Sequence, residues 1–128
     1  DKIVISITGD GGFQFAIQEL ATAKQFNINL ITIVFNNSGY GNVRRDQETR
    51  FGGRVIGADL VNPDFLALAR AYGVQGYRAQ DADGLREVLR VAVVKDEPAV
   101  IEVILETGCE VSPWPFILRD AFTGNTVV

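Results

Sequence analysis

An aspartate set among glycines and a pair of asparagines carry the chemistry available to this chain. Gly9-Asp10-Gly11-Gly12 follows the apolar run Ile3-Val4-Ile5-Ser6-Ile7, and Asn36-Asn37 follows Leu30-Ile31-Thr32-Ile33-Val34-Phe35. A carboxylate and a carboxamide therefore stand at the carboxyl ends of two predicted strands, where open α/β sheets bind ligands. Asp10 offers a charged oxygen and Asn37 a neutral one. That donor set suits Mg²⁺, which takes six oxygens in near-octahedral geometry and shares them with phosphates and water. The interval from Asp10 to Asn37 is long enough for one helix and a return strand, and a right-handed crossover then brings both strand ends to the same sheet edge. Gly39 permits a turn that aims its backbone carbonyl at the same ion. Gly11 and Gly12 have no side chains to bar a phosphate, and they lead into a helix N-terminus whose free N–H groups and dipole favour an anion.

Rival loops fail on particular residues. A dinucleotide fingerprint needs glycine or alanine at position 14, where Gln14 stands, and an acidic residue closing the second strand, where Asn36-Asn37 stands. A P-loop needs Gly-Lys-Ser/Thr, which the chain lacks. The chain has no histidine, which removes the Ser-His-Asp triad and the commonest general base. The asparagines and glycines at the strand ends can hold a ligand; they do not move protons, and no catalytic residue is assigned.

The elements that must position these groups alternate strand and helix over 128 residues, the size of one domain. This predicts an α/β fold: a doubly wound, mostly parallel sheet with helices on both faces, spanning 1–128. The expected strands are about Ile3–Thr8, Leu30–Phe35, Gly76–Arg78 and Ala99–Leu105. Phe13, Ala16, Ile17, Leu20 and Ala21 fall on one face of a first helix. A later helix takes Asn62 as N-cap, Pro63 in its first turn and Gly73 at its C-terminal cap, with Phe65, Leu68, Ala69 and Tyr72 inward. The next is capped by Asp81 or Asp83 and turns Leu85, Val88, Leu89 and Ala92 inward, with Pro98 beyond its end. Residues 37–62 show no clean period and begin with a possible short helix near Arg44-Arg45-Asp46. Pro113-Trp114-Pro115-Phe116 is too proline-rich for regular structure, and its aromatics are expected to cover apolar surface.

Bulk properties narrow the partners. A net charge of −4 argues against a general nucleic-acid surface, and no run of about 18 apolar residues suggests a membrane span. The single Cys109 allows no internal disulfide, which fits a reducing cytoplasm. The chain opens directly on its first strand, so a truncated domain from a longer polypeptide is expected.

Gly9-Asp10-Gly11, the helix bearing Gln18-Glu19-Leu20-Ala21-Thr22-Ala23, and Asn36-Asn37 together resemble the thiamine diphosphate signature. The wider sequence, to about Leu105, is similar to the C-terminal cofactor-binding domain of the acetolactate synthase and pyruvate decarboxylase superfamily. In that family the aspartate, the second asparagine and a backbone carbonyl two residues on bind the metal; the resemblance carries these roles to Asp10, Asn37 and Gly39. It implies that backbone groups of Gly12 and Phe13 lie near the diphosphate, with Gly9 and Gly11 completing the turn. It further implies thiamine diphosphate and Mg²⁺ as cofactors, a small 2-oxo acid as substrate, and decarboxylation or carboligation as the reaction. The family's activating glutamate lies on a separate pyrimidine-binding domain, usually of a partner subunit, so a homo-oligomer is implied and 1–128 alone is expected to be inactive.

Plainer alternatives stand beside these. Gly9–Gly12 and Asn36-Asn37 would each pass alone for ordinary turn chemistry. Tyr40 is a candidate to line the cofactor pocket or a surface-loop aromatic. Gln18 and Glu19 read as helix-face residues, and Arg44, Arg45 and Arg50, interleaved with acids, as a solvated face rather than an anion site. Two other functions remain open: a non-enzymatic assembly module that keeps the fold, and a flavodoxin-like nucleotide binder.

Overall fold

The computed structural model describes residues 2–109 and 111; the segment Pro113–Phe116 lies outside them. Four strands, β1 (Val4–Gly9), β2 (Leu30–Asn36), β3 (Gln75–Ala79) and β4 (Ala99–Ile104), form one parallel sheet in the order β1-β2-β4-β3. The helices are α1 (Asp10–Gln14), α2 (Glu19–Gln25), α3 (Gly41–Arg50), α4 (Phe65–Ala71) and α5 (Ala82–Lys95). Alternation along β2 and β4 splits the core by parity. Val34 and Val100 face a cluster with Phe13, Leu20, Phe65, Ala69 and Val74, under α1, α2 and α4. Ile31, Ile33, Ala99, Ile101 and Val103 face the opposite cluster, where Ala92, Leu85, Val88 and Leu89 of α5 pack. Helices thus cover both faces, as the strand–helix alternation predicts. No described helix is long and apolar enough to cross a membrane.

The expected first helix is two. Between α1 and α2 the backbone bonds run i to i−3, from Phe15 to Gly12, Ala16 to Phe13, Leu20 to Ile17 and Ala21 to Gln18. This tighter winding shifts the phase of the apolar face. Phe13 and Leu20 stay inward and Ile17 packs beside them, whereas Ala16 and Ala21 turn outward and Ala23 takes the inner position. The expected loop 37–62 contains α3, a helix with no buried residue. Its arginines are engaged locally: Arg44 pairs with Asp59 and Glu48, Arg50 with Asp46, and Arg45 donates to Asn42.

The N-cap of α4 also differs. Asp64, not Asn62, accepts the free N–H groups of Leu66 and Ala67, at 3.0 and 3.1 Å, so Pro63 precedes the helix. At the far end Gly73 adopts φ +70° and the expected cap holds. The Val74 N–H returns to the Ala69 carbonyl and the Gly73 N–H to Arg70, the paired bonds of a Schellman ending. Asp81 caps α5 by accepting from the Gly84 N–H at 2.7 Å.

The Ala67 N–H bond holds the Asp64 carboxyl below its usual 3.8, with the Leu66 N–H, Arg78 and Arg70 assisting against partial desolvation. A folded value below the unfolded one means the stabilisation is fully present above pH 3.8 and is lost as pH falls through the folded value. Asp64→Asn keeps a cap but removes its charge. Thermal melts should therefore show the wild type ahead of Asp64→Asn near neutrality, with the gap closing on acidification below 3.8.

Among the described residues β1 is an edge strand, and its outer side is apolar. Val4, Ile5 and Ile7 are 53%, 45% and 69% exposed, and Ile3 just before it is 46% exposed. An unpaired apolar edge is a template for another strand. In the 128-residue chain by itself, Ile7→Lys should reduce self-association in sedimentation velocity while changing stability by no more than about 0.5 kcal/mol, since Ile7 buries little.

Candidate functional site

Parallel pairing of β1 with β2 sets Gly9 opposite Phe35, so Asp10 and Asn37 emerge side by side at the carboxyl edge. Gly9, Asp10, Asn37 and Gly39 line one cleft there, with Phe35, Gly41, Asn42 and Leu105. Asp10 is only 2% exposed and Asn37 8%. The cleft measures about 190 Å³, below the roughly 300–1,000 Å³ of a site that encloses a whole small-molecule ligand. A cleft of that volume takes one end of a larger ligand.

The surroundings of Asp10 decide what the cleft can hold. Its Oδ1 accepts from the Gly11 N–H at 2.9 Å. Its Oδ2 accepts from the Gly39 N–H at 3.2 Å and from Asn62 Nδ2 at 2.6 Å. All three donors are neutral, and Asp10 makes no ion pair with a described residue. A buried carboxylate without a cation is costly, and proteins pair such charges or give them to metals. No group of three or more His, Cys, Asp or Glu side chains gathers among the described residues. An ion at Asp10 would thus draw its other ligands from amide, backbone and ligand oxygens, which is how Mg²⁺ beside phosphates is held. The donors present fit that ion.

The loop after β2 is built to bring Gly39 back to Asp10. Ser38 takes a left-handed φ of +57°, and its N–H donates to Asn36 Oδ1 at 3.1 Å. Gly39 itself is not left-handed. It must be glycine because a Cβ there would sit 2.8 Å from the Ala58 carbonyl oxygen. Bonds from Tyr40 N–H to Ala58 O and from Leu60 N–H to Ser38 O lock the loop to the segment 58–60. Thr107 Oγ1 donates to the Asn37 carbonyl at 3.0 Å, pinning it from beyond β4.

The other expected site residues fall elsewhere. Gly11 is buried under the Tyr40 ring and Leu60; a Cβ there would lie 2.4 Å from Tyr40 Cε1. Its missing side chain makes room for Tyr40, and Tyr40 stands over Gly11 rather than in the cleft lining. Gly12 is exposed, and a Cβ there would lie 2.9 Å from Thr8 Oγ1. The Phe13 ring belongs to the core, packed edge to face on Phe65 at 5.4 Å and 73°, so only its backbone is available to a ligand.

Two polar residues of the site escape sequence reasoning. Asn62, expected as a cap, instead reaches Asp10 and Asn36, the latter at 2.8 Å. A signal was present: Asn62 and Asp64 are both cap-forming types flanking Pro63, and a helix start uses one. Glu102 is a lone carboxylate in an otherwise apolar strand, 2% exposed. It accepts from Asn36 Nδ2 at 2.7 Å and from Arg78 Nε and Nη2, both at 2.8 Å.

Comparison with known proteins identifies the family. Residues 1–103 match the family model described as the thiamine pyrophosphate enzyme, C-terminal TPP binding domain. The chain is 38% identical over 113 residues to the mitochondrial acetolactate synthase catalytic subunit of Aspergillus candidus, covering 88% of this chain and 16% of that protein. It is 38% identical over 104 residues to the probable acetolactate synthase large subunit of Methanocaldococcus jannaschii, covering 80% and 18%. Among solved structures it is similar to the thiamine diphosphate-dependent 4-hydroxybenzoylformate decarboxylase of Rhodococcus jostii RHA1. That match has a TM-score of 0.78 and 33% identity, over 84% of this chain and 20% of the other. The chain thus spans a fifth or less of the length of these relatives. With the match running from β1 into β4, and the buried carboxylate and asparagine pair where the sheet opens, the chain belongs to the thiamine diphosphate enzymes, as their C-terminal cofactor-binding domain.

Proposed function

We propose that this chain holds the Mg²⁺–diphosphate end of thiamine diphosphate within a larger enzyme that decarboxylates a 2-oxo acid or joins it to a second carbonyl compound. The observation that carries the proposal is the buried Asp10 carboxylate, unpaired by any described cation and sharing a cleft with Asn37 and Gly39. In this reading an Asp10 carboxylate oxygen, the Asn37 amide oxygen and the Gly39 carbonyl hold the metal. Gly9 leaves the cleft open beside them, since a Cβ there would have no neighbour nearer than the Phe35 carbonyl oxygen at 4.0 Å. The backbone of Gly12 and Phe13 lies by the diphosphate.

Thiamine diphosphate, when bound, supplies an electron sink for cleaving a bond next to a carbonyl. The residues of this chain anchor and orient it. A cleft of this size, and a chain without histidine, leave ring activation and substrate recognition to other parts of the assembly. We assign those roles to a pyrimidine-binding domain carrying a glutamate, on a partner subunit of a homo-oligomer, and 1–128 alone is inactive. Turnover of a 2-oxo acid by the pure 128-residue chain would refute that last point.

Thermal unfolding tests the central reading. A ligand at about 100 times its Kd stabilises by about 2.7 kcal/mol, worth several degrees in Tm for a domain this size. Thiamine diphosphate with Mg²⁺ should raise Tm, and a chelator should cancel the rise. No shift would favour an assembly module that keeps the fold, and a shift with a flavin nucleotide instead would favour the flavodoxin-like alternative.

A further inference from the structure

We propose that Asn62 is a positioning residue for the Asp10 carboxylate, and that a side-chain relay through Asn36, Glu102 and Arg78 sets how tightly the domain holds its metal. The proposal rests on the Mg²⁺–thiamine diphosphate reading and goes beyond it by assigning roles to four residues that touch neither ion nor cofactor in that reading.

The relay follows the sheet from edge to edge. Asp10 follows β1, Asn36 ends β2, Glu102 lies on β4 and Arg78 on β3, so the order of side chains is the order of strands, β1-β2-β4-β3. Arg78 and Glu102 are register partners across β3 and β4, which explains why the guanidinium meets the carboxylate through two nitrogens. Glu102 Oε1 then accepts from Asn36 Nδ2, and Asn36 Oδ1 accepts from Asn62 Nδ2. Asn62 Nδ2 donates also to Asp10 Oδ2, and Asn62 Oδ1 accepts from Gln14 Nε2 at 2.9 Å.

Donor and acceptor inventory gives this chain its direction. A carboxamide nitrogen has two hydrogens, and those of Asn62 go to Asp10 and Asn36; its oxygen is taken by Gln14, so the amide has one orientation that satisfies every partner. An ionised carboxylate offers about four lone-pair positions. At Asp10 the Asn62 and Gly39 donors occupy Oδ2, and Gly11 occupies one position on Oδ1. The acceptor capacity left is on Oδ1, so Asn62 selects which oxygen serves the cation. Asn36 cannot rotate away without breaking its bonds to Glu102 and the Ser38 N–H. Partners of this kind typically change metal affinity by about 10–100-fold when removed.

The test titrates Mn²⁺, as a paramagnetic probe, into the polypeptide carrying this chain at saturating thiamine diphosphate. Bound and free metal are read by electron paramagnetic resonance, and folding by circular dichroism. Asn62→Leu, similar in shape but without donors, should weaken Mn²⁺ binding about 10–100-fold, and Glu102→Gln should weaken it about 3–10-fold. Thiamine diphosphate affinity at saturating Mn²⁺ should stay within about twofold in both, a separation that general loosening of the fold would not produce. If Asn62→Leu does not fold, Glu102→Gln decides alone. Asp10→Ala is the control for the parent reading. Loss of Mn²⁺ in Asp10→Ala, with both relay variants within twofold of wild type, overturns the relay and leaves the metal site standing. Retention of Mn²⁺ in Asp10→Ala overturns both.

Discussion

Asp10→Ala is expected to abolish the Mg²⁺-dependent rise in Tm that thiamine diphosphate confers, and to do so more completely than any other single substitution in the domain. Asp10 supplies the only charged protein oxygen in the proposed ligand set; Asn37 and Gly39 supply neutral ones. Affinity of oxygen-ligand sites is tuned by the number of charged ligands, so losing the single one should cost about 100-fold or more, about 2.8 kcal/mol. The effect on the apo fold has two opposing parts. Removing the side chain leaves the Gly11, Gly39 and Asn62 donors short of an acceptor, at about 1–3 kcal/mol for each one that stays dry. It also removes a buried charge with no ionic partner among the described residues, which favours folding. The apo Tm should therefore move far less than the holo Tm. Asp10→Asn separates charge from shape: with its oxygen in the place of Oδ2 it still accepts from Gly39 and Asn62 and leaves only the Gly11 N–H facing a donor, so it should disturb the apo Tm less than Asp10→Ala while still losing most of the metal-dependent shift. Isothermal titration of Mg²⁺ in the presence of thiamine diphosphate checks both variants. Wild-type affinity in Asp10→Asn would place the metal elsewhere.

Phe65→Ala should give the largest loss of stability, about 3–5 kcal/mol. Phe65 is the largest fully buried side chain among the described residues. It lies at the start of α4 and packs edge to face on Phe13 of α1, a geometry that adds to the area it buries. Against a typical total of about 5–15 kcal/mol for a domain, this loss would lower Tm on the order of 10–20 °C. A functional effect should accompany it. α1 is a single turn and a half, and Asp10 is its first residue. Phe13 and Phe65 share one core cluster with Val34 and Val100 of the sheet, so a cavity at Phe65 loosens the packing under α1, and with it the site, as well as the core. Phe65→Leu refills part of the space and should recover much of both. Urea unfolding with an unchanged m-value would confirm that stability, and not the compactness of the unfolded chain, was altered.

These two residues show how much was readable in advance. The spacing of Phe65, Leu68, Ala69 and Tyr72 turns Phe65 inward, and the core clusters agree. Two apolar runs and the length between them put Asp10 and Asn37 at neighbouring strand ends, and the β1–β2 register agrees. The first helix departs from its expected face where its winding tightens between Phe15 and Gln18, because a pattern counted at 3.6 residues per turn slips when bonds run i to i−3. Gly39 is expected to permit a turn, and the left-handed residue of that turn is its neighbour Ser38. Here the glycine serves a close approach to Ala58, which involves a residue nineteen positions away and leaves no local trace.

What the sequence determined by itself was local or periodic: strand and helix alternation, the inward faces of α4 and α5, the glycine ending of α4, and a carboxylate and carboxamide at adjacent strand ends. Each follows from forces acting within a few residues, or from one face of an element meeting a core. Only the tertiary structure decided that Asn62 serves Asp10 while Asp64 caps α4, that Glu102 is held by Arg78 and Asn36, and that Tyr40 covers Gly11. Those choices are made by hydrogen bonds and contacts between residues far apart in the chain, 52 positions for Asn62 and Asp10 and 66 for Asn36 and Glu102. A polar side chain with several possible partners takes the one that burial brings within reach, and in this domain the closing of the sheet selects it.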